Sequence, residues 1–178
     1  MRTFLNTLFL VLSLQFVCAQ QLKLPSIKDK STITYSMVHP LHKWDGVSRE
    51  VSSVILTDAE RKVISQVAVS VKLATFDSQN ANRDSHMLEV TEGIKFPSVT
   101  FSGSDIQQQG DKLIVKGKLT FHGVSKDLSF SATRTTEGKN IKINGEFNVK
   151  MSDFNIPPPS LLGLATEDEF KVRFEVVY

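Results

Sequence analysis

Four histidines, His39, His42, His86 and His122, are the residues of this 178-residue chain best equipped for chemistry. Two of them sit three apart in His39-Pro40-Leu41-His42, and imidazole is a common ligand of zinc and copper. A strand would send residues three apart to opposite faces, but a turn at Pro40 would bring both rings round. No cysteine or carboxylate pattern accompanies them, so the spacing specifies a metal only weakly. The competing reading is polar histidine at a rim, bonded to backbone or water, and we expect no metal and no cofactor. Arg83 and Asp84 form either an exposed pair of little energetic consequence or a device that orients a ligand headgroup. Ser85 and His86 follow Asp84 directly, which implies nothing of triad geometry. The chain has no Gly-x-Ser-x-Gly elbow, no phosphate-binding loop and no dinucleotide glycine pattern. It does not read as an enzyme.

These residues fall in two irregular segments, 39–46 and 77–92, and the sequence around them alternates. Ile33, Tyr35 and Met37 alternate with Thr32, Thr34 and Ser36; a second strand lies within 47–56, and a third runs from Ile64 to Phe76. Val99 and Phe101 share one face of the next strand. Leu113, Val115, Leu119 and Phe121 share a face of the one after it, with Gly117 on the same parity, where a missing side chain suits a bend or a close approach. Leu128, Phe130 and Ala132, then Ile141 to Met151, then Phe170 to Tyr178 complete the pattern. Period two predicts strands with one apolar and one wet face. Asn80, Asn82 and Asp84 are helix-start residues, and His86, Met87 and Val90 have helical spacing, so one short helix is expected in 77–92. Residues 41–46 read as a turn or loop, 20–30 as a lead-in, and 156–165 as a long loop. The sum is an all-β domain, a closed antiparallel barrel of about eight strands with one short helix. Lys116, Lys118, Lys142, Lys171 and Arg173 oppose the apolar parity, so the outside is wet and a membrane-spanning barrel is disfavoured.

Residues 1–19 read as a signal peptide: Arg2, then an apolar run from Phe4 to Val17, then Val17 and Ala19 as the small-residue cleavage pattern. The expected domain is 20–178, periplasmic or secreted. Lipidation of Cys18 is the weaker alternative, because Gln15-Phe16-Val17 lacks the small residues expected there. Cys18 is the only cysteine, so the mature domain would have no disulfide. The formal charge of +2 falls nearer neutral without Arg2, and the lysines scatter singly. No clustered basic face for nucleic acid results.

Phe96-Pro97-x-Val99-x-Phe101, then Leu119-x-Phe121-His122-Gly123-Val124-Ser125-Lys126, then Ser152-Asp153-Phe154-Asn155-Ile156 occur in that order. Together with Arg83-Asp84-Ser85-His86-Met87, they resemble the YceI-like family from roughly Ile33 to Tyr178. The resemblance implies a lipocalin-like secreted or periplasmic barrel that carries a long apolar molecule, an isoprenoid, quinone or other amphiphilic lipid, without catalysis. Periodicity alone would make the phenylalanines plain core; the resemblance makes them walls of a pocket. The wall candidates are Tyr35, Met37, Phe76, Met87, Phe101, Leu119, Phe121, Phe130, Phe147 and Phe154. His39, His42 and His86, with Trp44 and Arg83, are expected at a polar mouth touching the headgroup, since loops on a rigid scaffold carry specificity. His122 lies in the shared link and reads as a turn residue. The segment His39–Trp44 departs from the family's lone histidine followed by a glycine-phenylalanine run, so Trp44 either stacks over the mouth or anchors a loop. A filled-core structural or stress-related module, and a haem- or metal-binding variant using the histidines, are the competing readings; a homodimer is left open.

Overall fold

The computed structural model describes residues 21–161 and 163–178; the leader expected at 1–19 lies outside them. The strands are β1 (Gln21–Pro25), β2 (Thr32–His39), β3 (His42–Ser48), β4 (Ser52–Asp58), β5 (Ile64–Lys72), β6 (Ser98–Gln109), β7 (Lys112–Phe121), β8 (Val124–Glu137), β9 (Asn140–Lys150), β10 (Ser160–Leu161), β11 (Leu164–Ala165) and β12 (Glu169–Val177). Ten of them form one antiparallel sheet in the order β1-β4-β5-β6-β7-β8-β9-β12-β2-β3, while β10 and β11 pair only with each other. The run from β4 to β9 is the meander that the alternation predicts.

The sheet curls until inward side chains from β2 round to β12 face one interior, but β1 and β3 end the order without pairing. The architecture is therefore a ten-strand half-barrel, and the expected closed eight-strand barrel is corrected. The two additional strands are those the sequence hides. β1 has only five residues and ends on proline, too short for a period and suited to an edge. β3 reads His42-Lys43-Trp44-Asp45-Gly46-Val47-Ser48, mostly polar. Its first five residues fall in the segment 41–46 that the sequence reads as a turn or loop. Its last two fall in the predicted second strand 47–56, which the structure divides between β3 and β4. β3 is held from outside: Arg173 Nη2 donates to Asp45 Oδ2 at 2.8 Å and to Ser36 Oγ at 3.0 Å, and Ser36 Oγ donates to Asp45 Oδ1 at 2.6 Å. At its free edge, Val47 exchanges backbone hydrogen bonds of 2.9 and 3.0 Å with Asp77. The third predicted strand also ends early, because Leu73–Thr75 form a 3-10 turn.

The one α-helix among the described residues, α1 (Ala81–Val90), begins where predicted. Asn80 is extended, and its side chain accepts the Arg83 N–H at 3.1 Å, which satisfies one of the orphan donors of the first turn. Asp84 accepts the Ser78 N–H at 3.1 Å. No residue of α1 is buried. Strands β5, β7 and β9 start at the same end of the meander, and there Ile64, Leu113 and Ile141 are almost fully buried with Tyr178 beside them. Buried side chains close that end.

Candidate ligand-binding cavity

Above this floor the interior is hollow. A cavity of about 800 Å³ runs through the half-barrel, within the range of ligand pockets and far above the voids of an ordinary core. Phe130 of β8 lies at the middle of its aromatic wall. Its ring centroid is 5.4 Å from Phe101, 5.1 Å from Phe147 in a stacked pair, and 5.5 Å from Phe174 edge-on. Phe130, Phe147, Phe174, Tyr35 and Val172 point inward yet are only half-buried. In a filled barrel, side chains on that parity would be buried like Leu113; here they keep exposure because they face a void.

Close approaches by glycine shape this wall. Gly117, on the apolar parity, lies against the Ser102 carbonyl and the Phe101 ring, where a Cβ would overlap both. Gly46 lies directly opposite Tyr35, and the Tyr35 ring lies across it in the space a Cβ would occupy. That places the Tyr35 hydroxyl over β3, on the face that also carries Trp44, two residues away.

Most polar residues bordering the cavity come from α1 and its two caps, the β2–β3 hairpin and the segment 159–166, with Thr100 of β6 and Tyr178 besides. Arg83, His86, Met87 and Val90 are spaced as one helical face and all border it. A stack of rings runs down the hairpin: His39 to His42 at 5.2 Å, His42 to Trp44 at 5.1 Å, with the Arg83 guanidinium 5.0 Å over Trp44. His39, 3% exposed, places Nε2 3.0 Å from the Leu164 carbonyl, while its Nδ1 accepts the Leu41 N–H at 3.2 Å. Both its nitrogens are thus spent on backbone. His42 and His86 are exposed, and His86 Nδ1 stands 3.5 Å from Glu89. Burial pushes the Tyr35 hydroxyl pKa up, an effect the neighbouring Trp44 indole N–H partly offsets; Asp84 raises it further and Arg83 lowers it. The two groups nevertheless complete no hydrogen bond: Tyr35 Oη and Trp44 Nε1 are sealed from solvent without a partner among the described residues. At the floor, Ser53 Oγ donates to the Ala68 carbonyl and lies 2.6 Å from Tyr178 Oη, so the phenol donates and burial pushes its pKa up to about 12.

The structure brings Tyr35, Met37, His39, His42, Trp44, Phe76, Arg83, His86, Met87, Phe101, Leu119, Phe121, Phe130 and Phe147 to this one cavity. Phe154 does not border it and is corrected. It sits in the 3-10 turn Ser152–Phe154, 3% exposed, 5.7 Å from Phe121. The left-handed Asn155 that ends this turn (φ 58°) reverses the chain, so Met151 and Ile156 border the cavity instead. The sequence reading missed Ile33, Val67, Val172 and Phe174 as wall residues, although their strand parity marks them. His122 stands off the cavity, with Nδ1 2.9 Å from the Phe154 carbonyl and Nε2 3.1 Å from Glu92, tying the β7–β8 turn to its surroundings. Among the described residues, no group of three or more His, Cys, Asp or Glu could hold a metal ion, and no helix is long and apolar enough to cross a membrane.

Comparison with known proteins places this geometry. The family model of the YceI-like domain matches residues 26–178. A UPF0312 protein of Pseudomonas fluorescens is 34% identical over 139 residues, 72% of this chain and 69% of that protein. BcnA of Burkholderia cenocepacia superposes with a TM-score of 0.77 at 20% identity, covering 86% of this chain and 99% of that one. A polyisoprenoid binding domain from Saccharophagus degradans superposes with a TM-score of 0.71 at 13% identity, over 86% and 96%; at such identities these two likenesses speak for the fold. Motifs, matched span and half-barrel agree, and the chain belongs to the YceI-like family.

Proposed function

We propose that this protein is a non-enzymatic carrier, periplasmic or secreted, that holds a long apolar isoprenoid, a quinone or another amphiphilic lipid inside the half-barrel. The observation that carries the reading is the half-buried, inward-facing aromatic wall around a cavity of about 800 Å³. Apolar walls cannot supply the two to four hydrogen-bond partners that each ordered water needs, so water is a poor occupant and a hydrocarbon chain a good one. Among the described residues no Asp, Glu or Lys borders the cavity, which favours a neutral tail over a charged metabolite. The structural neighbour from Saccharophagus, a polyisoprenoid binding domain, supports the same ligand class. Trp44, Arg83, His42 and His86 would meet the headgroup, and the phenylalanines the tail.

Native mass spectrometry of the purified protein, followed by organic extraction, tests this: a lipid of defined mass should co-purify. Leu119 faces the cavity opposite Phe101, so Leu119→Trp should fill the lumen and abolish co-purification, at a stability cost of about 1–3 kcal/mol for overpacking. A folded Leu119→Trp protein with undiminished lipid would refute a central binding site.

A further inference from the structure

The inward parity of β8 does not stop at the floor. Phe130 and Ala132 face the lumen, and the next two residues on that parity are Arg134 and Thr136. With Ile141 of the floor, they border a second hollow of about 480 Å³, at the end of the half-barrel away from α1. Its other walls are the β4–β5 turn, with Glu60, Arg61 and Lys62, and the β8–β9 turn, with Gly138 and Lys139. Four cations meet one carboxylate there, and that carboxylate, Glu60, is engaged by Lys62 at 2.6 Å. The turns hold this arrangement in place. Asp58 Oδ1 accepts the Lys62 and Val63 N–H groups at 2.6 and 3.1 Å, and Arg61 has a left-handed backbone, φ 57°. Arg61 Nη1 donates to the Lys139 carbonyl at 2.9 Å, and Arg134 Nη2 to the Arg61 carbonyl at 2.6 Å. On the outer wall the pattern differs: Lys116, Lys118, Lys142, Lys171 and Arg173 each have a carboxylate within 4 Å. Arg61, Arg134 and Lys139 have none among the described residues. Arg134 is also half-buried, with its Nε sealed and unpaired among them. A partly buried guanidinium that meets only neutral carbonyls keeps its charge uncompensated, and such exceptions call for a reason.

We propose that this hollow beneath the floor is a second binding site, for a phosphate group, separate from the lumen. Arg61 and Arg134 each spend one N–H on a carbonyl tie. That tie fixes the guanidinium and leaves further Nη donors of each fork uncommitted. Lys62 and Lys139, both exposed, add ammonium groups at the rim. The net charge of the lining residues is +3, four cations less one carboxylate. A phosphate ester brings up to two negative charges and three terminal oxygens to meet it. A carboxylate ligand carries one charge on two oxygens and answers fewer of the four cations. A soluble phosphate ester and an anionic phospholipid headgroup both present this chemistry, and the experiment separates them.

The test titrates nitrogen-15-labelled protein with inorganic phosphate, against sodium chloride at matched ionic strength, and measures affinity by calorimetry. Separate arms use vesicles of phosphatidylcholine with and without phosphatidylglycerol. Phosphate should bind saturably, with amide shifts confined to 59–63 and 134–141 and none in α1. Lys139→Gln removes a charge but keeps the carbonyl that Arg61 bonds. It should therefore fold as wild type and bind about tenfold more weakly, the worth of one charge-assisted hydrogen bond. Arg134→Lys keeps the charge but loses the fork, and should weaken binding too. Lys118→Gln, on the outer wall beside Asp127, should leave affinity unchanged. Binding of inorganic phosphate assigns the site to a soluble ester. Binding seen only with phosphatidylglycerol vesicles, and lost in Lys139→Gln, assigns it to a lipid headgroup. Chloride that matches phosphate, or Lys118→Gln that weakens binding as much as Lys139→Gln, would reveal a diffuse cationic surface and overturn the site. Absence of binding in both arms would overturn it as well.

Discussion

At single residues, the histidines show how the same side chain takes different work from its surroundings. The His-x-x-His spacing suggested metal or mouth; the tight hairpin does bring His39 and His42 together, as a turn at Pro40 allows. What no spacing reveals is that His39 bonds the Leu164 carbonyl, 125 residues away in sequence. That contact makes His39 a clasp between the β2–β3 hairpin and the β10–β11 hairpin, and its substitution by Phe would strand the Leu41 N–H and the Leu164 carbonyl. We expect His39→Phe to cost about 1–3 kcal/mol of unfolding free energy, whereas His42→Phe, exposed and still able to stack on Trp44, should stay within about 0.5 kcal/mol. Urea denaturation of the two variants settles this, and equal effects would contradict the clasp. The aromatic wall was legible because parity alone sorts inward from outward residues. Phe154 was not, since it lies in a 3-10 turn that ends on the left-handed Asn155, where the strand parity count no longer applies and the side chain packs off the cavity. Gly117 was legible as an anomaly, and the Ser102 carbonyl pressed against it is the reason.

Among the elements, those read correctly are the ones stabilised by their own alternation, β2 and β5 to β9 with β12. β3 escaped because its stability is borrowed: Arg173 on β12 reaches across β2 to Asp45, and a long-range clamp leaves no periodic trace. α1 is the opposite case, written locally in Asn80 and Asp84 yet burying no residue of its own. A helix of ten residues anchored only by the half-buried Met87, Leu88 and Val90 is marginal in water and should belong to the least stable part of the molecule. Removing its cap should therefore be felt locally. Asn80→Ala deletes the acceptor for the Arg83 N–H and is expected to cost α1 about 0.5–2 kcal/mol, while Asn80→Gly costs only a few tenths. Hydrogen exchange followed by mass spectrometry should show faster exchange across α1 in Asn80→Ala with protection of β6 to β9 unchanged. Unaltered α1 exchange would mean that tertiary contacts, not the cap, hold the helix.

For the molecule as a whole, the sequence carried the fold family and the meander but overstated closure, because counting strands says nothing about whether the first and last meet. The half-barrel instead relies on a floor of buried side chains at one end and on the Val47–Asp77 bridge near the helix. The floor contains a polar pair that makes global stability depend on alkaline pH. Tyr178, 7% exposed, donates to Ser53, and its pKa is pushed up to about 12 by burial, against about 10 for a free phenol. Because the folded pKa lies above the unfolded one, the stability linked to this group is fully present below about pH 10 and is lost as pH rises towards 12. About two units correspond to roughly 2–3 kcal/mol. Tyr178→Phe removes the ionisable group, so it should be less stable than wild type at pH 8, by about 1 kcal/mol for the lost hydrogen bond. At pH 12 the order should reverse or the difference vanish. The chain has two tyrosines, and burial raises the pKa of Tyr35 as well, so the phenolate absorbance near 295 nm should be displaced to higher pH than that of free tyrosine, with Tyr178 giving the higher step. In Tyr178→Phe the higher of the two steps should disappear. A wild-type titration in which Tyr178 ionises like a free phenol, or a stability gap between the two proteins that stays constant from pH 8 to 12, would show that the floor admits water and that Tyr178 is not sealed within it.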